Sequence, residues 1–174
     1  MKALTLTQPW AFLVMLGAKR IETRSWATAY RGSLALHAAS GLGPVGGRKG
    51  LRELVNSQPF FSVLVDRFEH TVERSLVDTI LDGLPLGGIV AVCRLVDCVS
   101  TGLYSSVQHD SEIWQVPPGN MSREYTFGDY SPGRFAWLLA DVQALPEPIP
   151  CKGALGLWQP DAATMDAVRR QVQL

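Results

Sequence analysis

Residues 87–100, GGIVAVCRLVDCVS, constrain the fold more than any other stretch. Ile89, Val90, Ala91, Val92 and Cys93 follow one another with no polar residue between them. An extended chain with that pattern is apolar on both faces, so it belongs in the middle of a sheet and not at its rim. Arg94 and Asp97 interrupt the run on opposite faces. They cannot neutralise each other, and an ion in a central strand needs a partner of its own.

Weaker strand patterns surround this one. KALTLT at the N-terminus alternates leucine with threonine, GSLALHAAS alternates again, and RFAWLLADV and ALGLWQ add two more candidates. PEPIPCKG reads as an irregular connection between the last two. Pro9 suits the first turn of a helix over PWAFLVML, and Gly17 suits its end. Between Lys49 and Leu81 the apolar residues Leu51, Leu54 and Val55, then Val72, Leu76, Ile80 and Leu81, recur at helical spacing. Asn56 to Pro59 breaks that stretch into two helices. The C-terminal DAATMDAVRRQVQL starts with a capping Asp161 and carries Met165, Val168 and Val172 on one stripe. Residues 101–133 show no period and read as a long polar and aromatic loop. With no repeat and no linker, residues 1–174 form one domain, an α+β fold. The expected architecture is a small mixed barrel of about five strands with inserted and flanking helices.

Charge narrows the partners. Lysine plus arginine and aspartate plus glutamate number 16 each, so no global basic field draws the protein along a duplex. Three cysteines, Cys93, Cys98 and Cys151, have no framework spacing and read as reduced thiols, with Cys98 and Cys151 as small core residues. His37, His70 and His109 are scattered, so no metal site and no cofactor are expected. The N-terminal apolar residues stop at Gln8 and Pro9, unlike a signal peptide, and no apolar run spans a bilayer. A soluble, cytoplasmic protein without membrane contact is expected.

One short stretch concentrates charge: GAKRIETRSW, residues 17–26. If it is extended, Arg20, Glu22, Arg24 and Trp26 share one face and Lys19, Ile21 and Thr23 the other. On spacing alone, Glu22 and Arg24 either neutralise each other at the surface or line a cleft. Arg24 offers a planar fork and Lys19 a point charge, both suited to phosphate. Trp10 and Trp26 either stack on a base or fill the core. Gln8 either caps the helix or contacts a ligand, and Arg31 is either a turn residue or a phosphate contact. His37, in an apolar strand, reads as a buried structural histidine.

LTQPWAFLVMLGAKRIETRSWATAYRGSLALHAA resembles the opening of the ASCH domain family, named for homology to activating signal cointegrator 1. The matching pattern comprises Gln8, Pro9, Trp10, Gly17, Lys19, Glu22, Arg24, Trp26, Tyr30, Arg31, Gly32 and His37. The central strand and FAWLLADVQALPEPIPCKGALGLW resemble the family too, so the likeness covers roughly residues 3–45 and 86–159. The likeness leaves residues 45–85 and 101–130 unexplained as insertions, the first holding a helical insertion at about 47–82 and the second lying in a long loop at about 101–133. The resemblance implies a PUA-like barrel with a cleft lined by the motif's polar residues, and binding of RNA or DNA. It also implies hydrolysis in a few members, where the motif lysine works with a threonine three residues on and a distant glutamate. Here that position holds Glu22, and Thr23 is on the opposite strand face.

The leading expectation is a domain that binds RNA, single-stranded DNA or a nucleotide-like small molecule through Gln8, Trp10, Lys19, Glu22, Arg24, Trp26 and Arg31. Arg24, Lys19 and Arg31 would hold phosphate, Trp10 or Trp26 would stack, and Gln8 and Glu22 would read polar edges. The alternative is a hydrolase of RNA or a modified nucleoside using Lys19 and Glu22, with His109 or Glu112 of the long loop as a further acid or base. A third class is a protein-interaction module that docks a partner on the inserted helices.

Overall fold

In a computed structural model, which describes residues 1–68 and 74–172, six strands form one curled sheet with helices on its faces. Their order is β2 (Ile21–Arg24), β7 (Phe135–Pro150), β4 (Gly88–Ser100), β3 (Gly32–Ala38), β1 (Lys2–Leu6) and β8 (Leu157–Trp158). The chain is therefore an α+β, PUA-like half-barrel, with one strand more than expected. The doubly apolar strand β4 lies inside the sheet, antiparallel to β3 on one side and β7 on the other. β1 and β3 run parallel, with Leu4 opposite Leu36 and Thr5 opposite His37.

Period-two alternation places the core. Leu4, Leu6, Leu34 and Leu36 enter the hollow of the sheet with Leu95, Trp137 and Leu139. Helix α1 (Trp10–Met15) contributes Ala11 and Val14 to that core. The opposite face, with Ala3, Ala35 and Val92, is covered by Met165, Val168 and Val172, the stripe of the C-terminal helix. Asp161 caps that helix by accepting the Thr164 N–H at 2.7 Å. Gly17 sits just past the end of α1 with φ of +71°, a conformation only glycine adopts freely.

The insertion breaks at Asn56–Pro59 as expected, but the described residues hold three α-helices in place of two, α2 (Gly47–Val55) before the break and α3 (Phe60–Leu64) and α4 (Leu76–Gly83) after it. Leu51, Val55, Phe60, Leu64, Ile80 and Leu81 pack with Phe12 and Leu13 of α1, so the apolar stripe is used inside the molecule. Its outer face carries ion pairs of Arg48, Arg52 and Arg74 with Asp78 and Asp82. Val72, placed on that stripe by spacing, lies outside the described residues.

Two expectations are corrected. Residues 101–133 are not a structureless loop: they hold the hairpin β5 (Ser105–His109) and β6 (Glu112–Val116) and the short helix α5 (Arg123–Thr126). Trp114 and Val116 bury against Ile21 and Leu138, and the Thr101 hydroxyl donates to the Ser131 and Arg134 carbonyls where the excursion begins and ends. PEPIP is not an irregular connection either, because β7 runs on through Pro150. The register against β4 shifts between Ile89 and Ala91, and two of the three prolines fall in that bulge, where no ladder N–H is needed.

Candidate functional site

The charged motif becomes a strand only at Ile21, two residues after Lys19. Lys19 is held before β2 by its own N–H, which donates to the Leu13 carbonyl at 3.1 Å. This offset breaks the expected alternation, and that is a correction. Arg20 turns outward, stacks on the Trp114 ring at 4.2 Å and pairs with Glu112. Lys19 instead joins Glu22 on the inner side, with its Nζ 3.5 Å from the Glu22 carboxylate and donating to the Ile21 carbonyl. Its side chain is 1 % exposed. Glu22 in turn lies 3.1 Å from Arg24 Nε, so Lys19, Glu22 and Arg24 form one row of charges. Arg24 is anchored further by donating from Nη2 to the Thr5 carbonyl at 2.8 Å.

This row separates two cavities. The first, about 310 Å³, is walled by Trp10, Glu22, Thr23, Phe127, Asp129 and Arg134. Trp10 packs edge-on against Phe60, which leaves part of its indole to the cavity. Thr23 lines it together with Glu22, and its hydroxyl accepts the Asp129 N–H at 3.0 Å. Arg134 is held by Asp129 and by the Thr23 carbonyl. The second cavity, about 590 Å³, opens where β1 and β3 end, between Thr5, Thr7, Arg24, His37, Ser40 and Lys152. His37 is buried, and its Nε2–H donates to the Cys151 carbonyl at 3.1 Å, while Nδ1 has no partner. Burial holds the imidazole below its ordinary pKa, against the pull of that carbonyl. Gly153 closes over the ring so tightly that an added Cβ would lie 2.5 Å from Cε1.

The remaining motif residues are placed elsewhere. Gln8 is fully buried, accepting from the Phe12 N–H at 3.1 Å and donating to the Pro85 carbonyl at 2.7 Å, so its amide caps α1. Trp26 packs edge-on against Trp137, centroids 4.5 Å apart, and joins the main core. Arg31 is exposed and bridges Asp97 at 2.6 Å and the Thr28 and Tyr30 carbonyls. That contact also accounts for the ion in the central strand, and Arg94 finds its own partner in Asp141 at 2.7 Å. His109 lies against Arg94 and Asp110, and Glu112 against Arg20 and Trp114, so neither lines either cavity. Cys93 is pushed up to about 12 by burial, and burial also raises Cys98 and Cys151, which keeps all three as thiols. Among the described residues no three histidine, cysteine or acidic side chains gather as a metal site, and no helix is long and apolar enough to cross a membrane.

Glu124 is the residue that sequence reasoning missed. Its carboxylate accepts the Arg20 N–H at 2.8 Å and the Ile21 N–H at 3.0 Å, tying α5 to the motif. Burial raises its pKa, while Lys19 and the two N–H groups pull it back. Nothing near position 124 signals this, because the contact spans more than a hundred residues. The same holds for Asp129, Arg134 and Lys152, whose neighbours in sequence carry no motif.

With this geometry established, two comparisons align. A family model described as the ASCH domain matches residues 4–149. Activating signal cointegrator 1 of Mus musculus is 26 % identical over 159 residues, which is 91 % of this chain and 22 % of that protein. The chain thus spans less than a quarter of the length of that relative.

Proposed function

This chain belongs to the ASCH domain family, and from that premise we propose that it binds single-stranded nucleic acid, RNA or DNA, one exposed base at a time. A base stacks on Trp10 in the smaller cavity, where Glu22 offers acceptors and Arg134 donors to its edge. The phosphate lies across the charge row toward Arg24 and Lys152 in the larger cavity. Lys19 holds the Glu22 carboxylate from behind. The observation that carries this reading is the row Lys19, Glu22, Arg24, which gives one cavity an aromatic wall with a carboxylate and its neighbour an arginine.

Zero net charge fits such local recognition better than a long phosphate track. A hydrolytic role would need Lys19 at a reacting atom, and its buried ammonium, turned to Ile21 and Glu22, weighs for binding instead. The test is fluorescence anisotropy with labelled hexanucleotides of RNA and DNA. Trp10→Leu and Arg24→Gln are each expected to weaken binding by about tenfold, as the loss of one stacked base or one charged contact implies. Affinities equal to the parent's in both variants, with their thermal melts intact, would reject the reading.

A further inference from the structure

The insertion and α5 enclose a third cavity, about 490 Å³, lined by Ser62, Asp66, Arg67, Arg123 and Phe127. Phe127 also walls the Trp10 cavity, so the two hollows share one buried ring. The charge in this cavity is unusual for the molecule. Arg20, Arg24, Arg31, Arg48, Arg52, Arg74, Arg94, Arg134 and Arg169 all have carboxylate partners. Among the described residues, Arg67, Arg123 and Arg170 form no ion pair, and two of these three line this one cavity. Among the described residues, two guanidinium groups without an ion pair thus share one concave place. Asp66 offsets one charge and leaves a net positive wall with the Ser62 hydroxyl beside it. Forked donors without a carboxylate suit the oxygens of a phosphodiester.

We propose that Arg67 and Arg123 hold the backbone phosphate of the nucleotide next to the base stacked on Trp10. The inserted helices thereby lengthen the site from one nucleotide to at least two. This rests on the single-strand reading above, and it assigns the insertion a binding role in place of a purely structural one. The ligand is a strand with a phosphodiester on one side of the recognised base, and a mononucleotide cannot use the subsite.

The experiment compares adenosine monophosphate with labelled oligoadenylate hexamers in ribo and deoxyribo form. It uses the parent chain, Arg67→Gln/Arg123→Gln, the charge-retaining Arg67→Lys/Arg123→Lys, and Trp10→Leu. Both arginines are exposed, so neither replacement disturbs the core. The glutamine pair is expected to weaken hexamer binding about tenfold. It should also flatten the slope of log affinity against log salt by about 0.7 for the one phosphate lost. Adenosine monophosphate affinity stays at the parent value, and the lysine pair recovers part of the loss. Hexamer affinity unchanged in the glutamine pair but reduced in Trp10→Leu would overturn the subsite and leave the single-base reading standing. An equal loss for the mononucleotide would also overturn it, because the arginines would then serve the stacked nucleotide itself. No change in either variant would overturn both.

Discussion

Lys19 shows what a single side chain contributes here. A buried ammonium is costly unless its partners are in place, and this one has the Glu22 carboxylate and the Ile21 carbonyl. Removing it leaves Glu22, itself 9 % exposed, with its charge less well matched. Lys19→Met is expected to lower unfolding free energy by about 3 kcal/mol, read in urea titration. Adding Glu22→Gln should recover part of that loss, and a fully additive double variant would show that the two charges do not act together. His37 provides a pH test. Its folded pKa lies below the ordinary 6.5 because of burial, so the unfolded chain takes up the proton first as pH falls. The stability this contributes is present above 6.5 and is lost as pH drops through the lowered folded value. Urea midpoints measured between about pH 7.5 and about pH 5 should fall less steeply for His37→Gln than for the parent. At this scale the sequence was informative about which residues gather and silent about how. Lys19, Glu22 and Arg24 stand out by composition, but β2 begins only at Ile21, which exchanges Arg20 for Lys19 on the inner side.

Among the elements, legibility followed the strength of the local pattern. β4 is apolar on both faces and could only be central. The C-terminal helix carries both a cap and a stripe, and both are used. Asp161→Ala removes the acceptor for Thr164 N–H and is expected to lower the midpoints of thermal and urea unfolding. A loss near zero would mean that packing of Met165 and Val168 alone fixes the helix. The hairpin β5–β6 escaped notice for a physical reason. Its two-residue turn is Asp110-Ser111, with Asp110 at φ of +51°, and lacks the glycine that marks most such turns. Its strands also bury few residues, Trp114 and Val116 among them, so the alternation is faint. The tail of β7 was hidden by prolines that a bulge accommodates, which no local rule anticipates.

Across the whole molecule, near-perfect charge balance and one continuous sheet leave recognition to local cavities. The sheet itself is not closed, since β2 and β8 end the strand order unpaired with each other. β8 is only two residues long. β2 is longer, and the N–H groups of Arg20, just before the strand, and of Ile21, its first residue, are turned to α5. Both are taken by the Glu124 carboxylate, and the Thr23 carbonyl is taken by Arg134. Side chains from a distant excursion thus occupy the positions that a strand from a second copy would use. An unguarded rim is a template for further strands, and the Glu124 carboxylate covers this one. Glu124→Ala should therefore sediment as progressively larger species as concentration rises, while the parent does not. Identical sedimentation at every concentration would show that the rim is guarded by something other than this carboxylate.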